Sequence, residues 1–289
     1  MGGREVGGLA NQLAAHMGFA DAANVDRVRR FWNAPRIATR PGLKAVDLFD
    51  AVLDGRIKAL WIMSTNPAVS MPRTERVRAA LAICPFVAVS DCWPTDTTRF
   101  AEIVLPAAAW GEKSGAVTNS ERCISRQRAF RQPPGEARPD WWMLTEVARR
   151  MGWAEAFDYR KPADIFREHA RLSAFENGES KRRLFDIGAL AELSDEQYDS
   201  LKPVRWPLPR GMQEPWPAVT RLFGDGSGFP TADGRARFVP TPYRAPAAPV
   251  SEQFPFILNT GRVRDQWHTM TRTGHVPRQT TAPSPSGSA

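Results

Sequence analysis

The stretches IKALWIMSTNP (residues 57–67) and FVAVSDCWPTDT (residues 86–97) decide the fold of this chain. Each is a short apolar run, rich in β-branched and aromatic residues, that stops at polar residues and a proline. Such runs are typical of strands buried on both faces of a parallel sheet. A third run of the same kind is EIVLPAAAW, residues 102–110. Together the three runs predict neighbouring strands of one sheet.

Helical patterns surround these predicted strands. GLKAVDLFDAVLDG (residues 42–55) has the apolar spacing of a helix, and TERVRAALAIC (residues 74–84) predicts a second one with Thr74 as its N-cap. DWWMLTEVARRMG (residues 140–152) predicts a third. The residues expected to be buried are Val46, Phe49 and Leu53 in the first helix and Trp142, Val147 and Met151 in the third.

This order of elements predicts an α/β fold: an open, largely parallel sheet with helices on both faces. In such sheets ligands bind beyond the carboxyl ends of the strands. Polar residues occur at those ends, with Ser64, Thr65 and Asn66 after one run and Ser90 and Asp91 after the next. The sequence therefore predicts a nucleotide site at this edge of the sheet.

The chain divides into four segments by composition. They are a glycine-rich and helical segment (1–40), an α/β domain that carries the predicted nucleotide site (41–153), a connector rich in Pro, Gly, Trp and Arg (154–253), and a new β element with a disordered tail (254–289). Within the connector, PADIFREHARLSAF predicts a helix that carries His169 on a solvated face. A hairpin turn is expected at DGR, residues 233–235.

Charge, hydropathy and cysteine spacing exclude several classes of protein. The chain has 289 residues and a net charge of +8, which suits an anionic ligand, but its arginines are scattered and predict no nucleic-acid partner. No window of 18 apolar residues and no secretory leader are present, so we expect no membrane span and a cytoplasmic location. The three cysteines form no C-x-x-C pair, which predicts no metal site and suits a reducing compartment.

A basic loop follows the apolar run FPFILN near the C-terminus. In TGRVRDQWHT (residues 260–269) a Thr-Gly turn exposes backbone N–H groups, and Arg262 and Arg264 add planar donors for phosphate. Trp267 and His268 would contact a ring and an oxyanion. The alternative is a basic surface hairpin with one buried tryptophan.

A second glycine-containing loop is WGEKSGAVTNSERC, residues 110–123. Lys113 lies between Gly111 and Gly115 and could hold a phosphate, although a solvated loop lysine is the simpler interpretation. Neither a P-loop nor a G-x-G-x-x-G pattern is present, and no nucleophile–base arrangement appears. We therefore predict cofactor-binding residues and no catalytic residue.

Five motifs, in this order, carry a resemblance to a known family. They are GGREVGGLANQLAAH, IMSTNPAVSMP, SDCWPTDTTRFAEIVLPAAAWGEKSGAVTNSER, PGEARPDWWMLTEVARRMG and NTGRVRDQWHTMTRTG. Together they resemble the molybdopterin-guanine-dinucleotide oxidoreductases, and within them the catalytic subunits of assimilatory nitrate reductases.

The resemblance implies a molybdenum bis-(molybdopterin guanine dinucleotide) cofactor, with nitrate as substrate and a reductase subunit, ferredoxin or flavodoxin as electron donor. It implies that residues 41–153 are an α/β dinucleotide-binding domain, and that residues 254–289 are the truncated start of a β-barrel-like pterin-dinucleotide-binding domain. Residues of the α/β domain would contact the dinucleotide, and the basic loop would contact the pterin side. The implied cofactor-binding residues are Asn66, Ser90, Asp91, Lys113, Asp140, Thr260, Gly261, Arg262, Val263, Arg264, Asp265, Gln266, Trp267, His268 and Thr269.

Two departures from the family bear on activity. The cysteines that would hold a 4Fe–4S cluster and the cysteine that would ligate molybdenum have no counterpart here, and QTTAPSPSGSA (residues 279–289) replaces the expected barrel. The sequence thus predicts a fragment that cannot reduce nitrate alone. Alternatives are a non-catalytic nucleotide- or pterin-binding remnant, a partner in a split enzyme, and a fragment of formate dehydrogenase or periplasmic nitrate reductase.

Overall fold

The computed structural model describes residues 2–178, 183–212, 222–224, 226, 228–231, 233–259 and 261. The α-helices of this part of the chain are α1 (Gly2–Glu5), α2 (Ala22–Phe31), α3 (Ala45–Leu53), α4 (Pro67–Ser70), α5 (Thr74–Ile83), α6 (Asp140–Ala148), α7 (Pro162–Ala174) and α8 (Asp195–Ser200). The strands are β1 (Leu60–Met63), β2 (Val87–Asp91), β3 (Ile103–Pro106), β4 (Gly115–Thr118), β5 (Cys123–Gln127) and β6 (Val204–Arg205). None of the described helices is both long and apolar enough to cross a membrane.

The first sheet confirms the three predicted strands. Its order is β1-β2-β3, and both pairings are parallel. In register, Ile62 lies beside Val89, and Val89 lies beside Val104. Helices α3 and α5 complete a core with β1 and β2, built from Phe49, Val52, Ile62, Val77, Leu81, Val87 and Val89 among others. The fold is therefore α/β with a parallel sheet, as the apolar runs predicted.

A second sheet follows, of order β4-β5-β6, in which both pairings are antiparallel. It belongs to a separate core in which residues 13–28 meet Ile124 and residues 163–208. The segment expected to be a connector thus supplies buried side chains. Its largest contributions are Phe166, Phe185, Tyr198, Trp206 and Leu208.

The predicted start of a β domain at Phe254 is not paired within the described residues. The chain from 254 to 259 forms no strand and bends at Phe254 and Phe256, and Phe256 and Leu258 are almost fully exposed. The turn near DGR is present, since Phe229 N donates to the Gly234 carbonyl at 2.9 Å. No strands flank that turn in the described ranges, so the boundaries of the last two segments stay predictions.

The expected N-cap of α5 was wrong by one residue. Arg73 occupies the cap position in a left-handed conformation with φ 54°, and Thr74 is already the first helical residue. The Thr74 hydroxyl instead donates to the Met71 carbonyl at 3.1 Å. A hydroxyl at this position therefore closes the preceding turn and does not cap the helix.

The expected buried face of α6 was also wrong. Met143 and Thr145 are buried, whereas Trp142, Val147 and Met151 are exposed. The regular helix ends at Ala148 and continues as one wide turn, Arg149–Trp153, in which Gly152 has φ 95°. This change of period follows Trp142 and Val147, so of the three residues it bears only on Met151. Val46 of α3 is exposed for a simpler reason, since it lies in the first turn of its helix.

His169 does not lie on a solvated face, contrary to the sequence expectation. Its ring packs on Phe185 with the ring centroids 5.3 Å apart, and His16 lies on the same phenyl ring at 5.1 Å. Burial, and to a smaller extent the charge of the neighbouring His16, lower the pKa of His169 to about 4. The helix α7 is thus buried on the side that carries its histidine.

This depressed pKa predicts an acid-sensitive fold. The unfolded chain binds a proton at His169 near pH 6.5, whereas the folded chain binds it only near pH 4. The free energy of unfolding is then undiminished above pH 6.5 and falls as the pH drops from 6.5 towards 4. We expect His169 to account for a loss of about 2 kcal/mol between pH 7 and pH 5. Urea unfolding at a series of pH values measures it.

The variant His169→Phe keeps an aromatic ring and removes the titrating group. Its stability should vary less between pH 7 and pH 5 than that of the wild type, by about the same 2 kcal/mol. Parallel pH profiles for the two proteins would show that His169 is not the group responsible.

Candidate functional site

The carboxyl ends of β1, β2 and β3 meet at one edge of the parallel sheet, which we call the carboxyl edge. Backbone hydrogen bonds of the strand pairing continue past the ends of β2 and β3. Ala107 N donates to the Asp91 carbonyl at 3.0 Å, and Ala108 N donates to the Arg138 carbonyl at 2.9 Å. Arg138 N in turn donates to the Pro106 carbonyl at 3.0 Å. The segment that leads into α6 is thereby fixed along the end of β3.

Asn66 lies at this edge after β1, and its side chain is buried among neighbours. Its Oδ1 accepts hydrogen bonds from the Thr97 hydroxyl at 2.7 Å and from Thr97 N at 3.2 Å. The Thr97 hydroxyl also accepts from Ala68 N at 3.1 Å. The amide of Asn66 therefore ties the loop after β2 to the loop after β1.

Ser90 lies in β2 with its side chain fully buried. Its hydroxyl accepts from the Trp61 indole N–H at 2.8 Å and contacts the Met143 sulfur at 3.5 Å. These contacts fix β1 and α6 against β2. The side chain of Ser90 is thus not exposed at the carboxyl edge, and it supports that surface from within the protein.

Asp91 ends β2 and is partly exposed, whereas the four strand residues before it are buried. One carboxylate oxygen, Oδ1, accepts from Trp93 N at 3.2 Å. The other makes no hydrogen bond with the described part of the chain. Asp91 therefore presents an acceptor at the carboxyl edge.

Lys113 and Asp140, predicted separately, form an ion pair with a distance of 2.7 Å between Nζ and Oδ2. Lys113 follows the short turn Trp110–Glu112, and Asp140 is the first residue of α6. Asp140 Oδ1 is buried and has no hydrogen-bond partner among the described residues. An unpaired buried carboxylate oxygen is costly, so this atom is a strong acceptor for an N–H or O–H group.

Arg138 adds a cation that the sequence interpretation did not single out. It is exposed, and its guanidinium lies 5.8 Å from the centroid of the Trp142 ring. The signal was present in RPDWW, where the arginine precedes Asp140 by two residues. Thr97 was missed as well, although it belongs to the polar run TDTT that follows Pro94.

The basic loop of residues 260–269 is a different case. Gly261 is described and exposed, whereas Thr260, Arg262, Val263, Arg264, Asp265, Gln266, Trp267, His268 and Thr269 lie outside the described residues. Of the predicted residues in the α/β domain, Asn66, Ser90 and Asp91 lie at the ends of β1 and β2, and Lys113 pairs with Asp140 beside the segment that runs along the end of β3. Within the described ranges no group of three or more metal-ligating side chains comes together.

Comparison with known proteins gives this edge a family context. Residues 2–150 match the family model described as molybdopterin oxidoreductase. The chain is 53% identical over 279 residues to a nitrate reductase of Klebsiella oxytoca, covering 96% of this chain and 31% of the relative. It is 49% identical to a nitrate reductase of Shewanella frigidimarina, covering 96% and 29%, and 32% identical to an F420-dependent formate dehydrogenase subunit alpha of Methanocaldococcus jannaschii, covering 94% and 37%.

The chain thus spans about a third of the length of the curated relatives it matches. The family match includes every strand of the parallel sheet together with Lys113 and Asp140. On these grounds the chain belongs to the molybdopterin oxidoreductase family.

Proposed function

We propose that the carboxyl edge binds the guanine dinucleotide part of a molybdenum–pterin cofactor. We further propose that the chain contributes this cofactor-binding surface, the cofactor grip, to a nitrate reductase of the assimilatory type. The observation that supports it most directly is the half-buried Lys113–Asp140 pair, in which Asp140 Oδ1 has no hydrogen-bond partner among the described residues. Family membership supports a molybdenum–pterin cofactor. The guanine form is inferred from the donor and acceptor pattern.

Asp140 suits a guanine edge for a chemical reason. The guanine base presents two N–H donors side by side, and a carboxylate accepts two donors at once. Asp140 Oδ2 is held by the ammonium of Lys113, which orients the carboxylate and balances its charge. The remaining Oδ1 is left to accept from the base.

Other residues of the edge have supporting tasks. Asp91 would accept a ribose hydroxyl through the oxygen that Trp93 N leaves open. Arg138 would attract the diphosphate, because it is exposed and permanently charged. Asn66 and Ser90 would position this surface from beneath, since their side chains are already hydrogen-bonded within the protein.

The loop from Thr260 to Thr269 remains part of the proposal on its chemistry alone. Its Thr-Gly turn and its arginines Arg262 and Arg264 are suited to the diphosphate, and Trp267 and His268 to the pterin side. Val263, Asp265 and Gln266 would complete the backbone of the loop that surrounds the cofactor.

The activity of the whole protein is likewise a proposal. The bound molybdenum centre would supply the two-electron chemistry, and this chain would hold and orient the cofactor. Nitrate would be the substrate and a reductase subunit, ferredoxin or flavodoxin the electron donor, with a 4Fe–4S cluster held outside this chain. Cys84, Cys92 and Cys123 form no disulfide with one another, which suits a reducing compartment such as the cytoplasm.

A formate dehydrogenase is the second candidate, since one such relative is 32% identical over 94% of this chain. The higher identity of 53% to a nitrate reductase favours nitrate. The two candidates share the same cofactor grip, so they differ only in the substrate.

Removing the Asp140 carboxylate should weaken binding of a guanine nucleotide to the purified chain. We expect Asp140→Ala to lower the affinity for GDP about 30-fold, which corresponds to losing charge-assisted hydrogen bonds worth about 2 kcal/mol. Asp91→Ala should have a smaller effect, about threefold to tenfold, because a ribose hydroxyl offers one donor. Isothermal titration calorimetry with GDP measures both.

Asp54→Ala is the matched control for these variants. Asp54 is exposed, pairs only with Arg56 among the described residues, and precedes β1, so it lies towards the opposite edge of the sheet. Its loss should leave GDP binding unchanged, and ADP should bind the wild type more weakly than GDP. Equal affinity of wild type and Asp140→Ala for GDP would contradict the proposal that Asp140 binds the guanine base.

A chimera tests the activity of the whole protein. The matched 279 residues of the Klebsiella oxytoca nitrate reductase are replaced by this chain. The chimera should form nitrite from nitrate with a reduced viologen dye, and Asp140→Ala within it should lower both molybdenum content and nitrite formation about tenfold, because the cofactor is held less tightly. Asp54→Ala should change neither quantity.

The opposite result is also informative. A chimera that retains molybdenum but forms no nitrite would contradict nitrate reductase function for this segment while leaving the cofactor grip intact. Formate oxidation by a matching chimera built on the Methanocaldococcus jannaschii relative, without nitrite formation by the first, would favour the second candidate.

A further inference from the structure

A cavity of about 480 Å³ lies between α1, β4 and α7, on the side of the second core. It adjoins the carboxyl edge, because Ser114 and Trp141 line it and directly follow Lys113 and Asp140 in the chain. The proposed cofactor grip uses none of the residues that line it. A cavity of this size falls in the range of small-molecule sites in proteins, roughly 300–1,000 Å³.

The walls of the cavity are suited to a flat apolar ring. Aromatic and aliphatic side chains line most of it, among them Trp141, Ile165 and Phe166. Two glycines, Gly3 and Gly115, form part of the wall, and a Cβ added at either would meet open space within 4 Å. A planar molecule can therefore approach the backbone there, and its faces would contact aromatic rings.

His169 offers the cavity a ring nitrogen. Its imidazole lines the cavity and makes no hydrogen bond with the described part of the chain, although it packs on Phe185. The carboxylate in the wall is already hydrogen-bonded, since Glu5 accepts from the Thr118 hydroxyl at 2.6 Å and from the Trp206 indole N–H at 2.7 Å. A half-buried imidazole that has no hydrogen-bond partner in the described part of the chain is a site for one directed hydrogen bond.

Charge excludes an anion as the ligand. No lysine or arginine is among the described residues that line the cavity, whereas the Glu5 carboxyl is. Burial also keeps the pKa of His169 low, at about 4, so the imidazole is neutral at physiological pH and offers a nitrogen acceptor. Nitrate and phosphate groups would therefore find no balancing charge here.

We infer that this cavity binds a small neutral aromatic molecule that carries an N–H or O–H group and donates it to the imidazole of His169. The ring would lie against Phe166 and Trp141, and the glycine wall would admit its edge. The inference rests on the cavity itself and is independent of whether the carboxyl edge binds a dinucleotide.

Three probes of similar size test it on the wild-type chain. Indole has a neutral ring with an N–H donor, benzothiophene has the same shape without the donor, and benzoate is an anion. Indole should bind saturably and shift the NMR signals of the His169 ring. Benzothiophene should bind about tenfold more weakly, the equivalent of one hydrogen bond worth about 1.4 kcal/mol. Benzoate should not bind.

Two variants locate the site. His169→Phe should lower the affinity for indole about tenfold and leave that for benzothiophene within about twofold, because only the hydrogen bond is lost. Ile165→Trp should abolish binding of both by filling the space. Arg171→Gln, an exposed change on the same helix α7, should alter neither.

The inference is overturned if indole fails to bind the wild type saturably, or if indole and benzothiophene bind it equally. It is also overturned if the Ile165→Trp variant, shown to be folded by circular dichroism, still binds indole with wild-type affinity. The comparison of indole with benzothiophene needs no variant, so loss of folding in His169→Phe cannot obscure the answer.

Discussion

The hydrogen-bond ladder at the carboxyl edge is the constraint on which the candidate site depends. It passes from β2 to the end of β3 through the bond from Ala107 N to the Asp91 carbonyl, and onward through the bond from Ala108 N to the Arg138 carbonyl. Each step is a backbone interaction and so places little demand on side chains. Because of it, Asp91 and Asp140, which are far apart in sequence, belong to one surface.

The parallel sheet was predictable because its signals are local. Each strand is an apolar run that ends at polar residues or a proline, and such patterns need no information from distant residues. The position along β2 then decides which polar residue reaches the surface. Ser90 is buried and accepts a hydrogen bond from Trp61, and Asp91 at the end of the strand is partly exposed, although in sequence both looked like equivalent edge residues.

The second core was not predictable, because its partners are far apart in sequence. The sequence pattern of α7 shows a polar His169 within an amphipathic helix, which favours a solvated position. Only the fold brings Phe185 and Trp206 to the same place as His16 and α7. The deviation at the end of α6 has a local origin, since the regular helix stops at Ala148 and Met151 lies in the wide turn that contains Gly152.

The Lys113–Asp140 pair is poorly explained as a stabilising contact. Both side chains keep about a quarter of their surface exposed, and ion pairs of this kind contribute little to stability, about 0–1 kcal/mol. The buried Oδ1 of Asp140 opposes even that gain, because it forgoes water without receiving a donor. The geometry is held by the backbone on both sides: Lys113 is anchored by β4 of the second sheet, and Asp140 by α6, whose Met143 contacts Ser90 of the first. The two cores therefore hold the Asp140 carboxylate in a position that lowers the stability of the fold. A ligand that donates a hydrogen bond to Oδ1 explains this position better than the folded chain alone.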